Sequence, residues 1–302
     1  MRLKFLALLL SAVALLPATT KAQEGTTDVR DYALSYAFEE GKSATYKVRA
    51  GWSQDGLMPM KINGELTLLQ LGKKPDAEAA THSVKQTVER VVASMDMFGQ
   101  KQEYDTAAGP EKNGQGGALE SSVRGLLGNT ELTLKATGEV TEAKSSRKGQ
   151  SPFESLLGIG HLPFDLLRLP EKPVKVGESW THKVERTNQS ATGKASKVIM
   201  NFTFTLRSVN DQDGQSIANI AISVKPEMDA MPGNIPAKFK SAKGSGKVSF
   251  NLTKKQLRRL EYRLRMLGET DMGDGQAQKL EIIQSLKIRL EEPKKKADAP
   301  GE

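Results

Sequence analysis

The 302-residue chain contains no cysteine, few aromatic residues and a single long apolar run. The absence of cysteine excludes disulfides, thiol catalysis, Cys-ligated zinc and iron–sulfur clusters. The fold must therefore be held by its apolar core alone. The aromatic content is only 5%, which leaves few side chains for stacking on nucleic acid bases. Nucleic acid is accordingly not expected as a partner.

The apolar run lies at the N-terminus and is typical of a secretory signal peptide. Arg2 and Lys4 are basic residues near its start, the run covers Phe5 to Leu16, and Pro17 ends it. Small residues at Thr20 and Ala22 predict cleavage after Ala22. Twelve apolar residues are too few to span a bilayer, which takes roughly 20. We expect an exported protein, periplasmic or extracellular, that does not span the membrane.

Period-two alternation of apolar and polar residues dominates the remaining sequence and predicts antiparallel β-strands with one polar face. The alternating apolar sets are Tyr32–Phe38, Ile62–Leu68, Val198–Leu206, Leu260–Met266 and Leu286–Leu290. The segment from His82 to Met95 fits a helix or a strand, and its β-branched content favours a strand. Asn210 to Gln215 reads as a hairpin turn.

Two segments are predicted to be helical, and one to be disordered. Gly116 to Gly128 follows a glycine-rich stretch, and Ser151 to Gly160 begins with a Ser cap followed by Pro152 and Glu154. Residues 293–302 carry little that could be buried, so we expect a disordered tail.

An octet that is nearly repeated predicts an internal duplication. The stretches from Gly41 to Val48 and from Gly177 to Val184 agree at Gly, Ser, Thr, Lys and Val, five positions of eight. We therefore expect a mainly β protein with two similar antiparallel modules, or one long sheet made from both, and a few short helices. The expected boundaries are a signal peptide at 1–22, modules at 23–150 and 171–292, and a helical connector at 151–170.

The motifs of familiar enzymes are missing from the sequence. The three histidines, His82, His161 and His182, have no metal-ligand spacing, and no Gly-x-Ser-x-Gly elbow occurs. Lys243 to Ser249 lacks the spacing and the hydroxyl residue of a phosphate loop. Asp211 to Gly214 begins like a calcium loop but lacks its final Glu. We expect no catalytic residue, cofactor or metal, although a carboxylate pair for hydrolysis is invisible in a sequence.

Basic residues crowd one predicted hairpin near the C-terminus and are the candidate contact for an anionic surface. They are Lys254, Lys255, Arg258, Arg259, Arg263 and Arg265. Arg259, Arg263 and Arg265 lie opposite the apolar residues of the same strand, and Lys287 and Arg289 occupy an equivalent face of the last strand. If these strands pair, a cationic surface results that suits anionic lipid or acidic polysaccharide. The alternative is a solvated face that protects a sheet edge.

The stretch Leu169 to Trp180, LPEKPVKVGESW, resembles the start of the second half in an uncharacterised family of exported bacterial proteins, a domain of unknown function. The likeness lies in Pro173, Val174, Val176 and the run Gly177 to Trp180. This resemblance implies an exported β-rich protein and supplies no catalytic residue.

The favoured function is a non-catalytic envelope protein that binds an apolar or amphipathic ligand or a partner. The alternatives are a structural or interaction protein without a small ligand, and a hydrolase of envelope polysaccharide or lipid. Lipid and anionic envelope components are the candidate partners, and the sequence leaves the oligomeric state open. An empty apolar cavity of at least about 300 Å³ would favour a carrier, and a filled core an interaction protein.

Overall fold

The computed structural model describes residues 30–292 except for 57–58, 77–80, 109–116, 148–159, 190–194, 229–236 and 272–275. The predicted signal peptide, nearly all of the predicted helix Ser151 to Gly160, and the C-terminal tail lie outside the described residues. Among the described residues there is no helix with the length and hydropathy of a membrane span.

The described chain is almost entirely antiparallel β-structure, as the period-two alternation predicts. The first half contains β1 Ser43–Asp55, β2 Met60–Asp76, β3 Thr81–Met97, β4 Gln100–Asp105, α1 Gly117–Arg124, β5 Gly128–Leu134 and β6 Val140–Ser145. The second half contains β7 Ser179–Gln189, β8 Ala195–Gln212, β9 Gln215–Met228, β10 Lys238–Asn251, β11 Gln256–Asp271 and β12 Ala277–Leu290.

All twelve strands belong to one sheet, in the order β6-β5-β3-β2-β1-β12-β11-β10-β9-β8-β7, with β4 paired to β3. Each half is a meander of neighbouring antiparallel strands, and the two meanders join where β1 pairs with β12. In that ladder Val48 lies opposite Ile288. The two halves therefore share a single sheet, and the internal duplication remains a prediction.

Several local expectations are confirmed. The His82 to Met95 segment lies within β3, and the helix expected after Gly116 is α1. The hairpin at Asn210 to Gln215 turns at Asp213 and Gly214, which both have positive φ angles. Lys243 to Ser249 is part of β10 rather than a phosphate loop.

The sheet has one apolar and one polar face, and it curls so that the apolar face packs on itself. Val48, Ile282 and Ile288 are 0% exposed although they lie in a single layer of strands. Buried side chains from both halves form one continuous core. Burial this complete means that the described part of the apolar face is filled by the protein's own side chains.

Residues 30–42 and 160–178 pack across one end of the curled sheet, and we call them the end cap. The amides of Gln70 on β2 and Gln86 on β3 both donate to the carbonyl of Leu162, at 3.3 and 2.6 Å. On the opposite side, the indole of Trp180 on β7 donates to the carbonyl of Arg168 at 2.7 Å. The end cap thus connects the first and second meanders at the end where β1 begins.

The Tyr32 to Phe38 segment was expected to be a strand, and this prediction is wrong. Apart from a single bridge between Tyr32 and Val174, the segment joins no strand ladder. Its alternation instead reflects a half-buried extended chain in the end cap. The ring of Tyr36 packs edge-on against Phe164 and Phe250, with ring centroids 5.3 Å apart in each case. Period-two burial therefore arises here without sheet pairing.

Candidate functional site

The cationic side chains lie on the polar face at the centre of the sheet, where β1, β12, β11 and β10 run side by side. Antiparallel pairing arranges them in rows that cross the strands. One row contains Lys47, Arg289 and Arg259, and the next contains Arg49, Lys287, Glu261 and Lys247. Residues opposite each other on one face have Cβ atoms about 5 Å apart, so the rows bring like charges close together.

A β-bulge in β11 adds a further arginine to this face. Ser249 on β10 pairs with Arg259, whereas the next residue, Phe250, pairs with Leu257. Arg258 is the extra residue, and bulges of this kind turn two consecutive side chains toward the same side. Arg258 and Arg259 both line the depression described next.

The first depression is a cationic basin with a volume of about 830 Å³. Eight basic and two acidic side chains line it. The basic ones come from five strands and include Lys47 on β1, Arg207 on β8 and Arg289 on β12. The basin therefore gathers positive charge that no single hairpin of the sequence displays.

The second depression is a neutral groove with a volume of about 1070 Å³. Small residues line the middle of this groove, and four basic and four acidic side chains surround them. The small residues include Gly51, Asn63, Ser94, Ser245 and Ser285. A Cβ added at Gly51 would lie 2.8 Å from the hydroxyl oxygen of Ser285, so a larger side chain there would crowd the floor. Arg49, Lys247 and Lys287 line both depressions and connect them.

Glu261 organises the cations between the two depressions. Its carboxylate accepts from Arg259 Nε at 2.9 Å and lies 2.9 Å from Lys287 Nζ and 3.4 Å from Lys247 Nζ. Burial acts to raise the pKa of Glu261, but the hydrogen bonds from Arg259 and Lys287 outweigh it and lower that pKa to about 2. Glu261 therefore stays ionised and holds three cations in place.

Other cations in the two depressions have no such partner. Among the described residues, no carboxylate oxygen lies within 4 Å of the charged groups of Arg207, Arg263 or Arg289. All three side chains are exposed to solvent. They are thus available to an incoming anion without first breaking an ion pair.

The sequence-predicted contact residues divide into two groups. Arg258, Arg259 and Arg263 line the depressions. Lys254 and Lys255 lie in the β10–β11 turn, and Arg265 is held by Glu281 through two hydrogen bonds of 2.6 and 3.1 Å. These last three are not among the lining residues. The condition for a cationic surface is met, because β11 pairs with β12. Both strands are central, so edge protection does not explain their charge.

Sequence reasoning missed Lys47, Arg49, Arg207 and Lys247. In β1 the exposed Lys47 and Arg49 alternate with the buried Tyr46 and Val48, which is typical of a strand with one polar face. That pattern carried no information that β1 would pair with β12. The missing signal was the long-range pairing rather than any local feature.

The remaining carboxyl groups of the two depressions are ionised or paired. Within the described ranges, no three His, Asp or Glu side chains are grouped so that they could hold a metal ion. The hydrogen bond from Arg90 lowers the pKa of Asp105, another carboxyl group of the neutral groove. Asp105 and Glu261 both remain ionised, so neither suits the role of a proton donor in hydrolysis.

No protein-family model and no curated protein matches the chain. Among solved structures, the chain is similar to one that describes lipid–protein interactions in lipovitellin, with a TM-score of 0.50 and 11% sequence identity. That match covers 88% of this chain but only 26% of the lipovitellin chain, so this protein spans about a quarter of its length. The likeness concerns the fold alone.

Two further matches are too weak to carry an argument. Pseudomonas aeruginosa OccK7 (OpdD) gives a TM-score of 0.21 at 8% identity, covering 84% of this chain and 99% of that one. The complex of MucB with MucA(peri) gives 0.11 at 10% identity, covering 83% and 94%.

Proposed function

We propose that this protein is an exported, non-catalytic binding protein that holds an anionic or amphipathic ligand on the polar face of its sheet. The observation that carries the proposal is the cationic basin, which eight basic and two acidic side chains line and in which Arg207 and Arg289 have no carboxylate partner among the described residues. An anionic group of the ligand occupies the basin, and an uncharged part extends into the neutral groove beside it. The signal peptide predicted from the sequence supports export, and anionic lipid and acidic polysaccharide are the candidate ligands outside the cytoplasm.

The energetics favour anion binding at Arg289 and Arg207 in particular. Hydrogen bonds to charged groups contribute about 1.5–3 kcal/mol each. An arginine that is already paired with a carboxylate loses that pairing when it turns to a ligand, whereas Arg289 and Arg207 have no ion pair to lose within the described residues. Because the basin is open to solvent, salt will screen the attraction.

The test compares Arg289→Gln with Arg265→Gln. Both changes remove one positive charge from the polar face of neighbouring strands. Only Arg289 lines the basin, whereas Arg265 lies outside it and is bound to Glu281. The probes are a short-chain phosphatidylglycerol below its micelle concentration and an oligogalacturonate, with affinities measured by calorimetry. Arg289→Gln should weaken binding of the preferred probe by about tenfold, and Arg265→Gln by less than about twofold.

The two probes distinguish a phosphate from a carboxylate ligand, and higher ionic strength should weaken binding of either one. The proposal fails if neither probe binds, or if the two variants lose the same affinity.

A second candidate function is carriage of an apolar ligand inside the curl of the sheet. The likeness to the fold of lipovitellin, whose solved structure concerns lipid binding, favours it. The filled core opposes it, because nearly all described apolar side chains that face the inside of the curl are already buried against one another. Native mass spectrometry of the same two variants separates the candidates, since a lipid held in the interior would be retained equally by both.

A further inference from the structure

The tip of the β3–β4 hairpin carries an aromatic residue in a conformation that suits it poorly. Phe98 and Gly99 form the two-residue turn, and both have positive φ angles, 54° and 80°. Turns of this kind favour Asn-Gly or Gly-Gly, because a bulky side chain is strained in the left-handed region. Phe98 is nevertheless 64% exposed and makes the hairpin tip apolar. The turn would form more readily with asparagine in its place.

The exposed tip is continuous with the buried core. Along the apolar face of β3, exposure rises from 1% at Ala93 to 41% at Met97, with Met95 partly buried between them. Met97 pairs with Met60 on β2, and the backbone N–H of Phe98 donates to the carbonyl of Pro59 at 3.4 Å. The tip is therefore anchored to the start of β2, and its apolar side chains extend the core outward at this corner.

The charges beside the tip are compensated locally. Lys101 is paired with Glu103, and Asp96, which lies between Lys61 and Lys101 in the strand register, accepts the backbone N–H of Gly99 at 3.0 Å. Neither sign of charge dominates, so the tip offers apolar contact without electrostatic steering. Met97 and Phe98 are the exposed large apolar side chains of the described residues.

We propose that the Met97–Phe98 tip inserts into the surface of a lipid bilayer and attaches the protein to a membrane. A projecting tip of two side chains cannot supply the roughly 800 Å² per partner that a stable protein interface buries. A bilayer can take up a few apolar side chains individually, and the transfer of Phe and Met side chains out of water is favourable. Attachment through such a small area is weak and reversible.

This proposal does not depend on the basin, and it predicts a different response to lipid charge. Apolar insertion needs no lipid charge, so it should occur on zwitterionic phosphatidylcholine vesicles, which have no net charge to attract the basin. It should also persist at high salt, where attraction between the basin and an anionic surface is screened. Arg265→Gln, a change outside both depressions and the tip, should leave binding to zwitterionic vesicles unchanged.

The experiment is co-sedimentation of the full chain with phosphatidylcholine vesicles, comparing the parent with Phe98→Asn and Phe98→Trp. Phe98→Asn should lower the partition coefficient by about tenfold while raising the melting temperature, because asparagine tolerates a positive φ angle better. Phe98→Trp should retain partitioning and show a blue-shifted emission that brominated lipid quenches.

Three results would overturn the proposal. The parent could fail to partition onto zwitterionic vesicles, or Phe98→Asn could partition as well as the parent. Sedimentation velocity could also show that Phe98→Asn abolishes self-association, which would make the tip a contact between copies. Met97→Gln, a change at a strand end, provides a second variant and should lower partitioning in the same direction.

Discussion

The two similar octets, Gly41 to Val48 and Gly177 to Val184, begin their strands in the same way but occupy very different places in the sheet. Gly41 and Gly177 both have positive φ angles, 74° and 94°, and each donates its N–H to the next strand of its meander, at Gly72 and Leu206. Yet β1 lies at the centre of the sheet and β7 at its edge. Local sequence therefore specifies the turn and the strand start, whereas pairing with β12 specifies burial.

The equivalent positions Tyr46 and His182 show the consequence of that difference. Tyr46 is 2% exposed, and its hydroxyl donates to the carbonyl of Leu257 at 3.3 Å. His182 is only partly buried and stacks on Phe202, with ring centroids 6.3 Å apart. The same place in the octet thus contributes to the central core in one copy and to a sheet edge in the other.

The largest expected effect comes from truncating this pair. Tyr46→Ala should destabilise the protein by about 3–5 kcal/mol, because it leaves a cavity in the central core. His182→Ala should cost less than about 1 kcal/mol, because its site is at the edge and can relax. Equilibrium urea unfolding measures both values. Equal costs would mean that position in the sheet does not control the contribution of the octets.

A smaller effect, equal in both copies, is expected at the glycines. Gly41→Ala and Gly177→Ala should each cost about 1–2 kcal/mol through backbone strain at positive φ. A Cβ would meet no atom within 4 Å at either site, so steric contact adds nothing. Thermal unfolding of the two variants should give matching shifts. A clear difference between them would show that the two turns are not equivalent.

The smallest expected effect is on the pH dependence of stability, and it comes from His182 on the edge strand β7. Burial lowers the pKa of His182, and the nearby charge of Arg168 lowers it further, while Asp165 and Glu139 act in the opposite direction. The folded state therefore binds the proton more weakly than the unfolded state, whose His pKa is about 6.5. Its contribution to stability is complete above that pH and is lost as the pH falls toward the lower folded pKa.

When the pH is lowered from about 7 to 5, the free energy of unfolding should therefore fall less in His182→Gln than in the parent. Urea unfolding of both proteins across that range measures the difference. His82, whose pKa burial also lowers, remains in both proteins and cancels in the comparison. A parallel pH dependence of the two proteins would contradict the assignment to His182.

The sequence predicted the elements well wherever local patterns decide them. Strand alternation identified β2, β8, β11 and β12, and turn chemistry identified the hairpin at Asp213 and Gly214. The pattern misled at Tyr32 to Phe38, because an extended segment lying across a core has the same period as a strand. No local pattern predicts the pairing of β1 with β12, which we call the seam of the sheet.

The candidate site was predictable only in part, for the same reason. The charges on β11 and β12 were visible as an alternating face of consecutive strands. The basin also needs Lys47 from β1 and Arg207 from β8, and those residues reach it through the strand order of the whole sheet. The bulge that adds Arg258 depends on the register between β10 and β11.

The seam between β1 and β12 has a consequence for how the molecule is made. Contacts between the ends of a chain give a high contact order, and such chains fold slowly. Since Val48 pairs with Ile288, the middle of the sheet cannot close until the chain through β12 is available. Until then the two meanders present unpaired inner strands, and exposed strand edges of this kind are prone to aggregation.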